Sequence, residues 1–151
     1  MCERFPGCRG VLSGAGDEVR EVAMPDGSRE IVHAFGWYLR QFIAETKAKG
    51  ATPILLSPTA KNLWRDGKLV RGQSDYGDWS AAVAAACGVP FVDLTAIIAD
   101  RYDALGFKEV QALFCTANDN VHTSPAGARL NEECAAAELK KLAGSNCKKG
   151  R

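Results

Sequence analysis

Lys49-Gly-Ala-Thr-Pro-Ile-Leu-Leu-Ser-Pro58 is the stretch that decides the fold of this chain. Gly50 stops a helical pattern, and Thr52–Ser57 is a short apolar run bounded by turn formers, the pattern of a buried parallel strand. Pro53 is tolerated near the start of such a strand, where a missing N–H costs least. Upstream, Ile31, Ala34, Phe35, Tyr38, Leu39, Phe42 and Ile43 recur at helical spacing. That periodicity predicts a helix from about Glu30 with Ser28 as its N-cap. Downstream, residues 58–74 are polar and glycine-containing, with Trp64 set in Lys61-Asn-Leu-Trp-Arg65. This reads as a loop after a strand end, where open α/β sheets place ligand groups.

The alternation continues. A helix is expected from about Asp75 to Cys87, closed by Gly88, then a second strand over Val89-Pro-Phe-Val-Asp-Leu94. Helices are expected from about Thr95 to Leu105, closed by Gly106, from Lys108 to Leu113, and from Ser124 to Leu142 with Pro125 in the first turn. Strands alternating with helices imply a parallel sheet with right-handed crossovers. Two parallel strands under about four helices make a thin core and leave one strand edge open. Residues 1–29 are rich in glycine, charge and turn formers, such as Pro25-Asp-Gly-Ser28, and are expected to be loop-rich or poorly ordered. The folded part then spans 30–144, with a basic tail at 145–151.

Lysine plus arginine number 19 and aspartate plus glutamate 18, a formal charge of +1. This balance gives no reason to expect nucleic acid or an anionic membrane as partner. No apolar run reaches membrane-spanning length, and Met1-Cys-Glu-Arg-Phe-Pro6 does not resemble a signal peptide. Six cysteines stand at 2, 8, 87, 115, 134 and 147, with no CxxC, so a structural zinc site is not expected. Cys87 and Cys134 fall in alanine-rich helical stretches and read as buried free thiols. A disulfide between terminal cysteines cannot be read from spacing.

The chemistry concentrates in Asp119-Asn-Val-His-Thr-Ser-Pro-Ala-Gly127. A carboxylate three residues before a histidine can hold one imidazole nitrogen and leave the other free as a base. The competing reading is a surface Asp–His pair ahead of a helix that Ser124 caps.

Four blocks then carry a family resemblance. Val32-His-Ala-Phe-Gly-Trp-Tyr-Leu-Arg40, Lys49–Pro58, Gly88-Val-Pro-Phe-Val-Asp-Leu94 and Asp119–Gly127 resemble, in order, the C-terminal half of the SGNH (GDSL-type) hydrolases. The nearest branch is the rhamnogalacturonan acetylesterase-like carbohydrate esterases. The resemblance implies a three-layer α/β/α flavodoxin-like fold, of which only the C-terminal part is present. It implies serine-mediated deacetylation of plant cell-wall polysaccharide without metal or organic cofactor, with Asp119 and His122 matching the acid and base of the triad. The family's Gly-Asp-Ser block, which holds the nucleophile, and its Gly-x-Asn-Asp oxyanion block are absent from these residues. Family members also often carry histidine where this chain has Asn120, and threonine where it has Val121. The expectation is a C-terminal part of such an esterase, inactive alone, whose substrate is an acetylated polysaccharide or oligosaccharide.

Other candidates are weighed against structural roles. Ser13 is glycine-flanked, but no strand precedes it. The resemblance places Ser57 along the groove, as a pocket or structural residue. Cys115 lies seven residues before His122 and reads as a buried thiol rather than a nucleophile. His33 reads as a satisfied core-edge histidine in a first helical turn, and Asp93 as an N-cap. Among the aromatics, Trp64 is the better sugar-stacking residue, and Tyr76 and Trp79 the weaker; Trp79 reads as packing. Arg71 could hold an acidic sugar, but a solvated arginine is the stronger reading. Two further readings compete with the esterase: a saccharide-binding module without turnover, and a module that self-associates through its exposed strand edge.

Overall fold

The structure is a computed structural model and describes residues 10–72 and 74–147. The readings of Met1–Pro6, of a terminal disulfide and of the basic tail lie outside the described residues. Two compact units divide the chain, Met1–Leu55 with Asp78–Phe91 and Leu56–Gly77 with Val92–Arg151.

The first unit opens on a hairpin. Strands β1 (Val19–Ala23) and β2 (Arg29–His33) pair antiparallel, Glu21 opposite Ile31. Pro25-Asp-Gly-Ser28 is its turn. Ser28 donates twice to Asp26 Oδ1, through its N–H at 2.9 Å and its hydroxyl at 2.6 Å, and Gly27 takes φ +83°. Residues 29–33, expected to open a helix, therefore form a strand, and residues 19–23 are not loop. The physical reason is period two: Val32 is buried while its neighbour Ile31 points to solvent. Helix α1 (Phe35–Ala48) starts after an extended Ala34 and buries Gly36 and Ile43. Gly36 is required there, because a Cβ would lie 2.1 Å from the Ala15 carbonyl oxygen. Arg40 pins the preceding segment by donating to the carbonyls of Ala15 (2.8 Å) and Gly16 and to the Asp17 carboxylate.

Strand β3 (Leu55–Leu56) is followed by a tight hairpin of β4 (Trp64–Arg65) and β5 (Lys68–Leu69), then helix α2 (Tyr76–Cys87). The hairpin turn, Asp66-Gly67, has φ +51° and +73°, the two left-handed residues of a type I′ turn. Strand β6 (Phe91–Val92) pairs with β3. Leu55 N–H donates to the Pro90 carbonyl and Ser57 N–H to the Val92 carbonyl, both at 3.0 Å, so the two run parallel. Both strands are shorter than the apolar runs that contain them. Pro53 and Pro90 lack the N–H that would extend the ladder.

Helices α3 (Leu94–Leu105), α4 (Phe107–Gln111) and α5 (Pro125–Cys147) complete the second unit. Asp93 caps α3 as expected, accepting the Ala96 N–H at 3.1 Å. The core here gathers Leu69, Leu94, Ile98, Tyr102, Val110, Phe114 and Cys134. Tyr102 is fully buried, and burial holds its phenol above the ordinary range while Asn131 lies 3.4 Å from its hydroxyl. The described residues make a mixed α/β chain of five helices with small parallel and antiparallel sheets.

Candidate active site

The Asp119–His122 loop is closed at its base by antiparallel pairing. Phe114 opposes Thr123, Cys115 N–H donates to the His122 carbonyl at 2.9 Å, and Ser124 N–H donates to the Leu113 carbonyl at 2.8 Å. Helix α5 then begins at Pro125, a residue suited to a first turn because it has no N–H to satisfy. The Ser124 hydroxyl accepts the Gly127 N–H at 3.4 Å. Gly127 must be glycine, since a Cβ would sit 2.1 Å from the Leu113 carbonyl oxygen. The tail of the motif thus seats the helix against the loop base.

Within the loop, one carboxylate is fixed from three sides. Asp119 Oδ1 accepts the backbone N–H of His122 at 2.8 Å and of Val121 at 2.9 Å. Its Oδ2 lies 3.0 Å from His122 Nδ1. These backbone donors, His122 first, hold the Asp119 carboxyl below the ordinary aspartate range, with the imidazole contact adding to them. An ionised Asp119 can only accept, which assigns the proton to His122 Nδ1 and leaves Nε2 as a base. The His122 side chain is 79% exposed and that of Asp119 19%. The geometry is a rigid acceptor aiming a solvent-facing imidazole, and it can remove a proton from a hydroxyl brought to Nε2.

The remaining candidates divide. Ser57 is buried, donates to Asp93 Oδ1 at 3.0 Å and accepts the Thr95 N–H at 2.8 Å. Arg71 is ion-paired and 43% exposed. Its Nη2 lies 2.7 Å from both Asp100 and Asp103, and Asp103 also accepts the Leu69 N–H at 2.8 Å. Trp64 keeps a place near the site. Its indole N–H donates to Asn62 Oδ1 at 2.7 Å, and Asn62 N–H donates to the Asn120 carbonyl at 3.0 Å, inside the Asp119–His122 loop. Cys115, expected to be buried, is exposed, with Sγ 3.4 Å from the Thr123 carbonyl oxygen. Phe114, not Cys115, turns inward at the loop base. Cys134 is buried as expected, and Cys87 is half-buried. His33 ends β2, stacks on Trp37 at 3.8 Å, and leaves Nδ1 buried without a partner among the described residues. Trp79 packs against Phe35 at 6.0 Å.

No group of three or more metal-binding side chains occurs among the described residues, and no described helix is long and apolar enough to cross a membrane. The residues that sequence reasoning passed over are Asn62 and Phe107. Phe107 packs edge-to-face on Trp64, centroids 5.8 Å apart. The only signal for it was a phenylalanine directly after the helix-ending Gly106.

No family model matches the chain. Over 114 residues it is 30% identical to a rhamnogalacturonan acetylesterase of Emericella nidulans, covering 76% of this chain and 45% of that protein. The chain is a relative of the rhamnogalacturonan acetylesterases. A probable rhamnogalacturonan acetylesterase of Bacillus subtilis, YesY, is 27% identical over 121 residues, covering 78% of this chain and 56% of YesY. The crystal structure of the Bacillus subtilis protein YxiM superposes with a TM-score of 0.64 at 25% identity, covering 70% of this chain and 30% of YxiM. The two acetylesterases are relatives of the kind that the four sequence blocks resemble. The chain spans about half the length of the curated relatives it matches, 45% and 56%.

Proposed function

We propose that this chain carries the acid–base half of an SGNH-type carbohydrate esterase that removes acetyl groups from a polysaccharide of the rhamnogalacturonan class. The observation that carries the reading is the Asp119–His122 contact of 3.0 Å, with Asp119 held by two backbone N–H groups. The relatives' names supply the substrate class. In this reading the elements are the C-terminal part of a three-layer α/β/α fold.

The chemistry follows from what Nε2 can do. A serine hydroxyl placed against it loses its proton as the oxygen attacks the acetyl carbonyl. The resulting imidazolium, stabilised by Asp119, returns the proton to the sugar oxygen as the C–O bond breaks. Water, deprotonated by the same nitrogen, then releases acetate from the serine. No Gly-Asp-Ser or Gly-x-Asn-Asp block occurs in the 151 residues. In this reading a second segment supplies the nucleophile and oxyanion donors, and the loss of a single such donor costs about 10²–10³ in rate. Ser57 and Arg71 hold the second unit together in this reading, and Trp64 contacts the sugar.

The test is hydrolysis of p-nitrophenyl acetate by the chain alone beside His122→Ala. Equal, near-background rates are expected. A wild-type rate well above that of His122→Ala would show a complete site, and the assignment of the nucleophile to a second segment would fall.

A further inference from the structure

Gly106, at φ +86° and ψ 162°, ends α3 and starts α4, so the chain turns sharply and Phe107 emerges as the first helical residue. Phe107 is 51% exposed. Its ring is nonetheless held, at 5.8 Å and 82° to the Trp64 indole. Trp64 is anchored on both sides: its ring packs against the core, and its N–H is bound to Asn62. Asn62 N–H reaches the Asn120 carbonyl, one residue from Asp119. A continuous series of contacts, Phe107 to Trp64 to Asn62 to Asn120, therefore links an exposed aromatic to the acid–base loop.

We propose that Phe107, backed by Trp64, is the substrate-positioning residue that stacks on a pyranose ring of the polysaccharide next to the acetylated unit. This role rests on the esterase reading. An edge-to-face pair leaves a ring face free of its partner, and the C–H face of a pyranose matches such a surface while its hydroxyl rim stays in water. The ring is fixed before binding, so little side-chain entropy is lost on contact.

The experiment titrates the intact chain with rhamnogalacturonan oligosaccharides by calorimetry, comparing wild type, Phe107→Leu and Phe107→Tyr. In parallel, the wild-type Phe107 ring protons are followed by NMR. Binding by wild type and Phe107→Tyr, with Phe107→Leu weaker by about tenfold, is expected. The Phe107 ring protons should shift with the same midpoint as the heat. If wild type binds but its Phe107 protons stay still, or a folded Phe107→Leu binds equally well, the role of Phe107 is overturned and the esterase reading stands. If wild type does not bind, both fall. The ring protons decide the matter without a variant should Phe107→Leu fail to fold.

Discussion

The Asp119–His122 pair is a local device, and its behaviour is set at Asp119. Backbone donors lower this carboxyl from the ordinary value, so the ionised form is the favoured one in the folded chain. Its contribution is present above the unfolded value, near 3.9, and is lost as pH falls through the lower folded value. Carboxyl ¹³C shifts should show Asp119 titrating below that ordinary range; titration at or above it would contradict the three-sided hold. Asp119→Asn turns an N–H₂ or a weaker acceptor toward His122 Nδ1. Imidazole ¹⁵N shifts should then show the Nδ1–H tautomer depleted, and an unchanged tautomer would mean Asp119 does not set it. Gly127→Ala drives a Cβ into the Leu113 carbonyl. Urea unfolding should show a loss of about 1–3 kcal/mol, the cost typical of overpacking. The Asp–His pair was legible in sequence because its partners lie three residues apart. The hydrogen-bond partners of Ser57 and Arg71 were not legible, because Asp93, Asp100 and Asp103 lie 29 to 36 residues away and no local pattern announces them.

At the scale of elements, helices read better than strands. Helices α2 and α3 fall within one residue of their expected bounds, because alanine-rich runs end in Gly88 and Gly106. Both hairpins escaped, although their turns were written plainly as Pro25-Asp-Gly-Ser28 and Asp66-Gly67. Every residue of β1 is exposed, and β4 and β5 have two residues each, so neither shows the alternation that marks a half-buried strand. Asp103 secures the second hairpin by accepting the Leu69 N–H, and that bond, then Arg71, keeps its carboxyl below the ordinary range. Gly67→Ala forces a side chain into a left-handed position and should destabilise the chain by about 1 kcal/mol in thermal or urea unfolding. An unchanged midpoint would mean that the hairpin contributes nothing to the second unit.

At the scale of the whole chain, β3 and β6 form a sheet of two strands, each two residues long. Leu55 and Ser57 spend their N–H groups on β6, which leaves the Leu56 N–H directed to the opposite edge. A two-stranded sheet with an open edge invites a third strand. Sedimentation velocity should show the apparent mass rising with concentration; a sharp, concentration-independent monomer would rule out pairing through that edge. The overall α/β class was legible from strand–helix alternation, whereas the lack of Gly-Asp-Ser and Gly-x-Asn-Asp blocks in these residues gains meaning only beside the resembling family, because no local pattern marks a motif that does not occur. The direct test of the central claim fuses a Gly-Asp-Ser-bearing N-terminal half, taken from YesY, to this chain and assays p-nitrophenyl acetate hydrolysis. Activity absent from either half alone, and lowered by about 10²-fold or more in a fused His122→Ala chain of unchanged fold, is the expected result. A folded fusion that is inactive, or one whose His122→Ala form keeps full activity, would contradict the assignment of His122 as the base.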